Sequence, residues 1–228
     1  MDKVSRLEAN QNRRLVRPLP EVGRKGPTRA LSITLIFLII LLGLMLLRHM
    51  VTNNIEAPRT SLERDIMDNT AKLQLDPENP VAHAGLGTAY MKMGRANEAL
   101  HEFKTAVRLK PKSAQYRYNL AIAYRELGET AKALARLRDA KGLARDWDVP
   151  FFTSGQVYLE KKDYEKAIRD FQTCLEMNPR NADAHLALGQ AFEGQGKREK
   201  AAQAYREVLK YVPNYSEAKE ALMRLETK

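Results

Sequence analysis

The sequence predicts an all-α solenoid, and its internal periodicity is the main support. Residues 80–215 divide into four consecutive windows of 34 residues with no residue left over: 80–113, 114–147, 148–181 and 182–215. A period of this length is typical of stacked helical hairpins. Each window holds two stretches with helical spacing of apolar residues, separated by a break. One helix pair cannot bury its apolar face alone, so the pairs are expected to stack.

The windows agree in residue type at five positions. The eighth residues are small: Gly87, Ala121, Gly155 and Gly189. The eleventh are aromatic: Tyr90, Tyr124, Tyr158 and Phe192. The twentieth are Ala99, Ala133, Ala167 and Ala201. The twenty-fourth are large: Phe103, Leu137, Phe171 and Tyr205. The twenty-seventh are Ala106, Ala140, Cys174 and Val208. Two antiparallel helices approach closely only where side chains are small, which explains the small eighth and twentieth residues. The aromatic and large residues are expected to fill the space beside them, so all five positions should lie between helices.

Glycine and proline mark the ends of the predicted helices. Gly94, Gly128 and Gly196 occupy the turn between the two helices of a window, where a left-handed residue ends the first helix. The third window has Lys162 there, which predicts a slightly different turn. The prolines that stop the second helices are Pro111, Pro179 and Pro213.

Taken together, these positions resemble the tetratricopeptide repeat (TPR). The resemblance covers residue 80 to the C-terminus and a partial copy before it. It implies a right-handed α-α superhelix in which the first helices of successive pairs line a concave groove. It also implies four repeats, one per window, that bind other proteins.

The N-terminal region predicts a tail and one membrane span. Residues 1–29 are polar, contain eight bases against three acids and are expected to be disordered and cytoplasmic. Residues 30–48 contain an uncharged apolar run long enough to cross a bilayer, and no small-x-small cleavage site follows, so we expect an uncleaved signal anchor. The positive-inside rule then places the repeats on the other, periplasmic or extracytoplasmic, side, with a bacterial inner membrane as the predicted location.

Capping segments are predicted at both ends of the array. Residues 49–59 are a short linker, and residues 60–79 match the second helix of an incomplete repeat, with Thr60 and Glu63 forming a capping box. Residues 216–228 are predicted to form a C-terminal capping helix with Ser216 as its N-cap.

One junction departs from the repeat pattern. Arg145 stands where other windows have proline, and Trp147, the chain's one tryptophan, follows it. Ser154 replaces the leucine of the next helix. Two interpretations remain open: a locally adjusted packing joint, or a contact with a partner built around Trp147.

The sequence contains no motif that predicts catalysis, and we expect neither an enzyme nor a cofactor or metal. His83 and His185 occupy the same repeat position three windows apart, so they cannot converge on a metal. Cys174 falls at a small core position and is predicted to be a buried thiol. The net charge of +10 comes half from residues 1–29, and charges in the repeats are mixed in sign, which argues against nucleic-acid binding.

The family resemblance places positions 2, 5, 9 and 12 of each window in the groove. These are Val81, Ala84, Thr88, Met91, Gln115, Tyr118, Ile122, Arg125, Val149, Phe152, Gln156, Leu159, Asp183, Leu186, Gln190 and Glu193. The predicted partner-binding residues are Met91, Tyr118, Asn119, Ile122, Arg125, Phe152, Gln156, Leu159, Leu186 and Gln190. An apolar surface of this kind usually marks a binding site, although the same side chains could pack between neighbouring helices.

Family members that hold the acidic tails of heat-shock chaperones use lysine, asparagine and arginine in this groove. The corresponding residues here are Ala84, Thr88, Asn119, Val149 and Thr153, of which Asn119 alone fits, so that activity is not predicted. The leading hypothesis is a membrane-anchored adaptor that binds membrane or envelope proteins, for assembly of a complex or as its subunit. A cytoplasm-facing receptor or co-chaperone and a self-associating scaffold are the alternatives.

Overall fold

A computed structural model of the chain describes residues 36–46 and 60–227, and every regular element in these two ranges is an α-helix. Helix α1 covers residues 36–46. The other helices are α2 (Ser61–Leu75), α3 (Pro80–Lys92), α4 (Ala96–Leu109), α5 (Ala114–Glu126), α6 (Thr130–Leu143), α7 (Val149–Glu160), α8 (Tyr164–Met177), α9 (Ala182–Gly194), α10 (Arg198–Tyr211) and α11 (Ser216–Glu226).

The chain separates into two compact units, Met1–Ala57 and Pro58–Lys228. In the first unit, α1 exposes all of its large apolar side chains, from 54% for Ile40 to 69% for Met45. Within the described ranges, α1 included, no helix combines the length and apolar character needed to cross a membrane. The predicted tail and linker lie outside the described residues, as does part of the predicted span.

In the second unit, four antiparallel helix pairs follow one another: α3 with α4, α5 with α6, α7 with α8, and α9 with α10. The two helices of a pair touch at the small eighth residue. A Cβ added to Gly87 would lie 2.6 Å from Cε1 of Phe103, and one added to Gly155 would lie 2.6 Å from Cε1 of Phe171. The four twentieth-position alanines are fully buried. The predicted all-α solenoid of stacked pairs is therefore confirmed.

The turn between the helices of a pair has the same backbone conformation in all four windows. Gly94, Gly128 and Gly196 have φ values of 71°, 72° and 73°. Lys162 adopts φ 59°, so the expectation of a different third turn was wrong. The tertiary packing of the pair imposes the left-handed conformation, even though it costs about 1 kcal/mol for a residue with a Cβ.

The helix starts follow from local hydrogen bonds. The predicted capping box is present: the Glu63 amide donates to Thr60 Oγ1 (3.1 Å) and the Thr60 amide donates to Glu63 Oε2 (3.0 Å). Asn79 Oδ1 accepts from the Val81 and Ala82 amides at the start of α3. At α11 the predicted cap was wrong, because Tyr215 is the N-cap residue and Ser216 is already the first helical residue.

Many of the buried side chains among residues 60–227 gather in three clusters. The largest is built from residues of α8 to α11, including Phe171, Tyr205 and Val208. A second lies around Phe103 and Leu120, and a third joins Ala121, Leu137 and Val157. Helix α2, all of whose residues are described, contributes partly buried side chains at most. More apolar side chains are thus buried at the C-terminal end of this unit, and α2 is a capping helix without a fully buried side chain.

Candidate functional site

The predicted groove residues lie on the first helices of the pairs. Helix α3 carries Met91. Helix α5 carries Tyr118, Asn119, Ile122 and Arg125. Helix α7 carries Phe152, Gln156 and Leu159, and helix α9 carries Leu186 and Gln190. Gln190 is exposed and the other nine are partly buried. Their burial is intermediate because neighbouring helices cover one side of each and leave the other accessible.

Polar contacts join two successive first helices, α5 and α7. The Tyr118 hydroxyl on α5 lies 3.4 Å from Thr153 Oγ1 on α7, and Arg125 on α5 forms an ion pair with Glu160 on α7. Within α5, Gln115 donates to Asn119 Oδ1 at 2.8 Å. The first two contacts link α5 with α7, so these two first helices form one continuous surface. We call the surface defined by positions 2, 5, 9 and 12 of the four windows the first-helix face.

Several apolar residues of the first-helix face also pack against the core. The Phe152 ring lies 5.9 Å from the Phe171 ring at a tilt of 52°. Leu159 and Leu186 pack against the largest cluster, and Met91 packs against the cluster around Phe103. These side chains therefore pack between neighbouring helices and keep part of their surface accessible, while their role in partner binding stays a prediction. Replacing Phe152 by a charged residue would disturb the fold as well as the surface.

Trp147 lies in the loop between α6 and α7 and contacts the first-helix face. Its ring meets the Tyr118 ring edge-on, with centroids 5.1 Å apart and an interplanar angle of 61°. Tyr118 also packs against the cluster of Ala121, Leu137 and Val157. Val149, two residues after Trp147, is 37% exposed. The junction that departs from the repeat pattern thus adds an aromatic side chain to the edge of this face.

Tyr215 is the counterpart of Trp147 two windows later, because both are the last residue of their windows. Its hydroxyl donates to Asp183 Oδ1 on α9 at 2.7 Å. This hydrogen bond to a carboxylate, with partial burial, raises the pKa of Tyr215 to about 12. Sequence reasoning missed the contact, although an aromatic residue at the last window position would have been a usable signal.

A second set of contacts that sequence reasoning missed joins three of the four windows to the loop before them. His83 Nε2 lies 3.1 Å from the Pro77 carbonyl, and His185 Nε2 lies 3.0 Å from the Pro179 carbonyl. Arg117 Nε, at the same position of its window, donates to the Pro111 carbonyl at 2.9 Å. His83 and His185 thus join the first helix of their window to the loop that precedes it.

The third window uses a different tie at this joint. Lys141 Nζ on α6 donates to Ser154 Oγ (2.9 Å) and to Asp170 Oδ1 (2.8 Å), and Ser154 also bonds to Asp170. The lysine and aspartate side chains are 18% and 14% exposed. This cluster explains why a serine replaces the leucine of other windows, and it supports the interpretation of the junction as an adjusted packing joint.

The nucleophilic and metal-binding side chains among the described residues are not arranged for catalysis or metal binding. Ser154 lies beside a lysine amine, but the residue is 1% exposed and its hydroxyl cannot reach a substrate. Cys174 is fully buried, and desolvation raises the pKa of its thiol to about 11. Among residues 36–46 and 60–227, His, Cys, Asp and Glu do not gather into a group of three or more that could hold a metal. The first-helix face is therefore the candidate functional site.

Comparison with known proteins agrees with this geometry. A family model described as tetratricopeptide repeat matches residues 85–150 and 152–225. The protein CTR9 homolog of Arabidopsis thaliana is 30% identical over 105 residues, which are 44% of this chain and 10% of that protein. The chain therefore spans a small fraction of this relative's length.

Two crystal structures share the fold over most of the solenoid. MamA is 27% identical with a TM-score of 0.62, covering 67% of this chain and 89% of that chain. YrrB, described as a TPR protein with an unusual peptide-binding site, is 25% identical with a TM-score of 0.62, covering 70% of this chain and 82% of that chain. Because the family model spans more than half of the sequence and the helix pairs repeat with its period, the chain belongs to the tetratricopeptide repeat family.

Proposed function

We propose that this protein is a membrane-anchored adaptor whose first-helix face binds a segment of a partner protein. The observation that carries the proposal is that Tyr118, Ile122 and Leu159 remain partly accessible on the first-helix face. Exposed apolar surface on an otherwise polar solenoid is typical of a binding site. The peptide-binding site described for the similar protein YrrB supports the same use of the fold.

The anchoring part of the proposal rests on residues 30–48. The described portion, α1, exposes apolar side chains all round, which suits lipid and does not suit water. The bases of residues 1–29 favour a cytoplasmic N-terminus, which would place the solenoid on the extracytoplasmic face of a bacterial inner membrane. Its partners would then be membrane or envelope proteins, and it would assist assembly of their complex or be one of its subunits.

Partner binding is tested with Val149→Asp. Val149 opens α7 and is 37% exposed beside Trp147, so an acid there changes the face while a carboxylate in the first turn of a helix is tolerated. We expect crosslinking to partners in the native membrane to fall at least tenfold with unchanged far-UV circular dichroism. Met223→Asp on α11, at a 59% exposed position that is not among those defining the face, is the matched control. Equal crosslinking in both variants would contradict binding at this face.

Topology is tested with a single reporter cysteine. Thr227→Cys places an exposed thiol at the C-terminal end, and Cys174→Ala removes the buried one. We expect a membrane-impermeant maleimide to label Thr227→Cys in intact cells with a permeabilised outer membrane. Labelling that requires lysis of the inner membrane would reverse the orientation and favour the cytoplasm-facing receptor.

A further inference from the structure

The first-helix face has an apolar site at its edge, made by Trp147, Val149 and Tyr118. The two rings meet edge-on, so each holds the other in place, and Val149, two residues after Trp147, is 37% exposed. A preorganised aromatic pair loses little side-chain entropy when a ligand binds, which favours it as an anchor point. An apolar side chain of a partner is the group that suits this site.

The charges of the same face point to one class of partner. Among its sixteen positions, the acids are Asp183 and Glu193, and the one base is Arg125. Arg125 is already paired with Glu160. The rest of the solenoid has more bases than acids, so the face differs in sign from its surroundings. An acidic segment would meet no available cation among these positions, whereas a basic segment would meet carboxylates.

Of the two acids, Asp183 is the one placed to receive a ligand. Glu193 accepts from Tyr205 (2.9 Å) and pairs with Arg224 (2.8 Å), so neighbouring side chains already neutralise it. Asp183 is exposed and accepts from the neutral Tyr215 hydroxyl, which leaves its negative charge in place. Tyr215 fixes the carboxylate just as Tyr118 fixes Trp147, so both anchor points are held by an aromatic neighbour.

The spacing of the two anchor points defines the ligand further. Val149 and Asp183 occupy the same position in successive windows, on α7 and α9. Packed helices lie about 8–10 Å apart, a distance that an extended peptide covers in about three residues. A docked helix would need an apolar stripe over several turns, but the row that holds Val149 and Asp183 alternates between apolar and polar residues, as Val81, Gln115, Val149 and Asp183.

We propose that the partner segment is extended and carries a lysine or arginine about three residues from an apolar side chain, with the apolar group at Val149, two residues from Trp147, and the base on Asp183. This inference rests on the proposed adaptor function and adds the chemistry of the partner. The charge of this segment is opposite to that of the acidic tails that the chaperone-binding members of the family hold.

The experiment selects random 12-residue peptides on the full chain in detergent micelles, after depletion on empty micelles. Trp-free versions of the enriched peptides are then titrated against the emission of Trp147, the single tryptophan of the chain. We expect enrichment of lysine or arginine about three positions from an apolar residue. Asp183→Asn, which keeps the Tyr215 hydrogen bond, should weaken binding about two- to fivefold, as expected for an exposed ion pair.

Glu199→Gln is the matched control, because it removes the same charge from an exposed position on α10, outside the face. Enriched peptides that are acidic or neutral and insensitive to Asp183→Asn, but that are lost with Val149→Asp, would overturn this inference and leave the adaptor function standing. Peptides insensitive to Val149→Asp as well would overturn both.

Discussion

At the eighth position of each window, the size of one residue determines how large its neighbour on the second helix can be. Glycine at this position faces an aromatic ring in three windows: Gly87 with Phe103, Gly155 with Phe171 and Gly189 with Tyr205. The second window has Ala121 instead, and the facing residue is the smaller Leu137. Both partners of that pair are about 1% exposed, so the exchange keeps the core filled.

This complementarity predicts a rescue. Gly87→Ala places a methyl group 2.6 Å from the Phe103 ring, which should lower the free energy of unfolding by about 1–3 kcal/mol. Adding Phe103→Leu reproduces the Ala–Leu pair of the second window. We expect the double variant to be more stable than the sum of the two single effects, by about 1 kcal/mol. Urea unfolding of the Pro58–Lys228 unit, followed by circular dichroism, measures this coupling.

Gly142→Ala supplies the control for helix propensity. Gly142 lies in α6 with no side-chain or packing atom within 4 Å of an added Cβ, so alanine should stabilise the unit by about 0.5 kcal/mol. Additive effects in the Gly87–Phe103 pair would show that the ring moves freely, and the size argument would fail.

Two joints between helix pairs, those before α7 and before α9, close the same space in different ways. At the joint before α9, the three relevant positions hold Leu188 and Ala204, which belong to the largest apolar cluster, and Leu175, which packs against it. At the joint before α7, the same positions hold Lys141, Ser154 and Asp170, which bond to one another. A polar cluster that is fully satisfied can replace apolar packing, but each member then depends on the others.

We therefore predict opposite outcomes for single and combined changes at the joint before α7. Lys141→Leu alone leaves the Asp170 carboxylate poorly compensated and should cost about 3 kcal/mol of stability. The triple variant Lys141→Leu, Ser154→Leu, Asp170→Ala copies the apolar joint found one window later. It should match or exceed the stability of the natural chain. Chemical unfolding of both variants of the Pro58–Lys228 unit tests this, and a triple variant weaker than the single one would contradict it.

The element scale also shows what the sequence can predict. Positions that contact the partner helix of the same pair repeat every 34 residues, so their roles could be predicted from periodicity alone. The turn at Lys162 could not be predicted, because the pair imposes the conformation of the turn from outside it. The Lys141–Asp170 pair spans 29 residues between windows and departs from the repeat, so periodicity gives no signal for it.

The candidate site was predictable to a similar extent. Family register identified which helices carry the face, and all ten predicted groove residues lie on them. The repeat register does not show that the Phe152 ring packs against the Phe171 ring, or that the Trp147 ring contacts the Tyr118 ring. Such contacts depend on rotamers and loop paths, which repeat spacing does not determine. They decide which substitutions test the surface and which damage the core.

Over the whole solenoid, stability should be unevenly distributed, because each pair contacts only its neighbours. The largest apolar cluster holds residues of α8 to α11, including Phe171, Tyr205 and Val208. Helix α2 stands at the other end without a buried residue among its fifteen, all of them described. Segments with few buried apolar contacts open at lower free energy than the core. Opening should therefore begin at α2.

This gradient predicts the order of native-state hydrogen exchange in the second unit. Amides of α2 should exchange through openings several kcal/mol below global unfolding, while those of α9 and α10 should exchange last. Thr60→Ala removes the capping box and should lower the opening free energy of α2 by about 1 kcal/mol without changing α9. Mass spectrometry of peptic fragments measures both helices in one sample. If Thr60→Ala accelerated amide exchange in α2 and α9 equally, the solenoid would open as one cooperative unit. Independent opening of α2 would then be excluded.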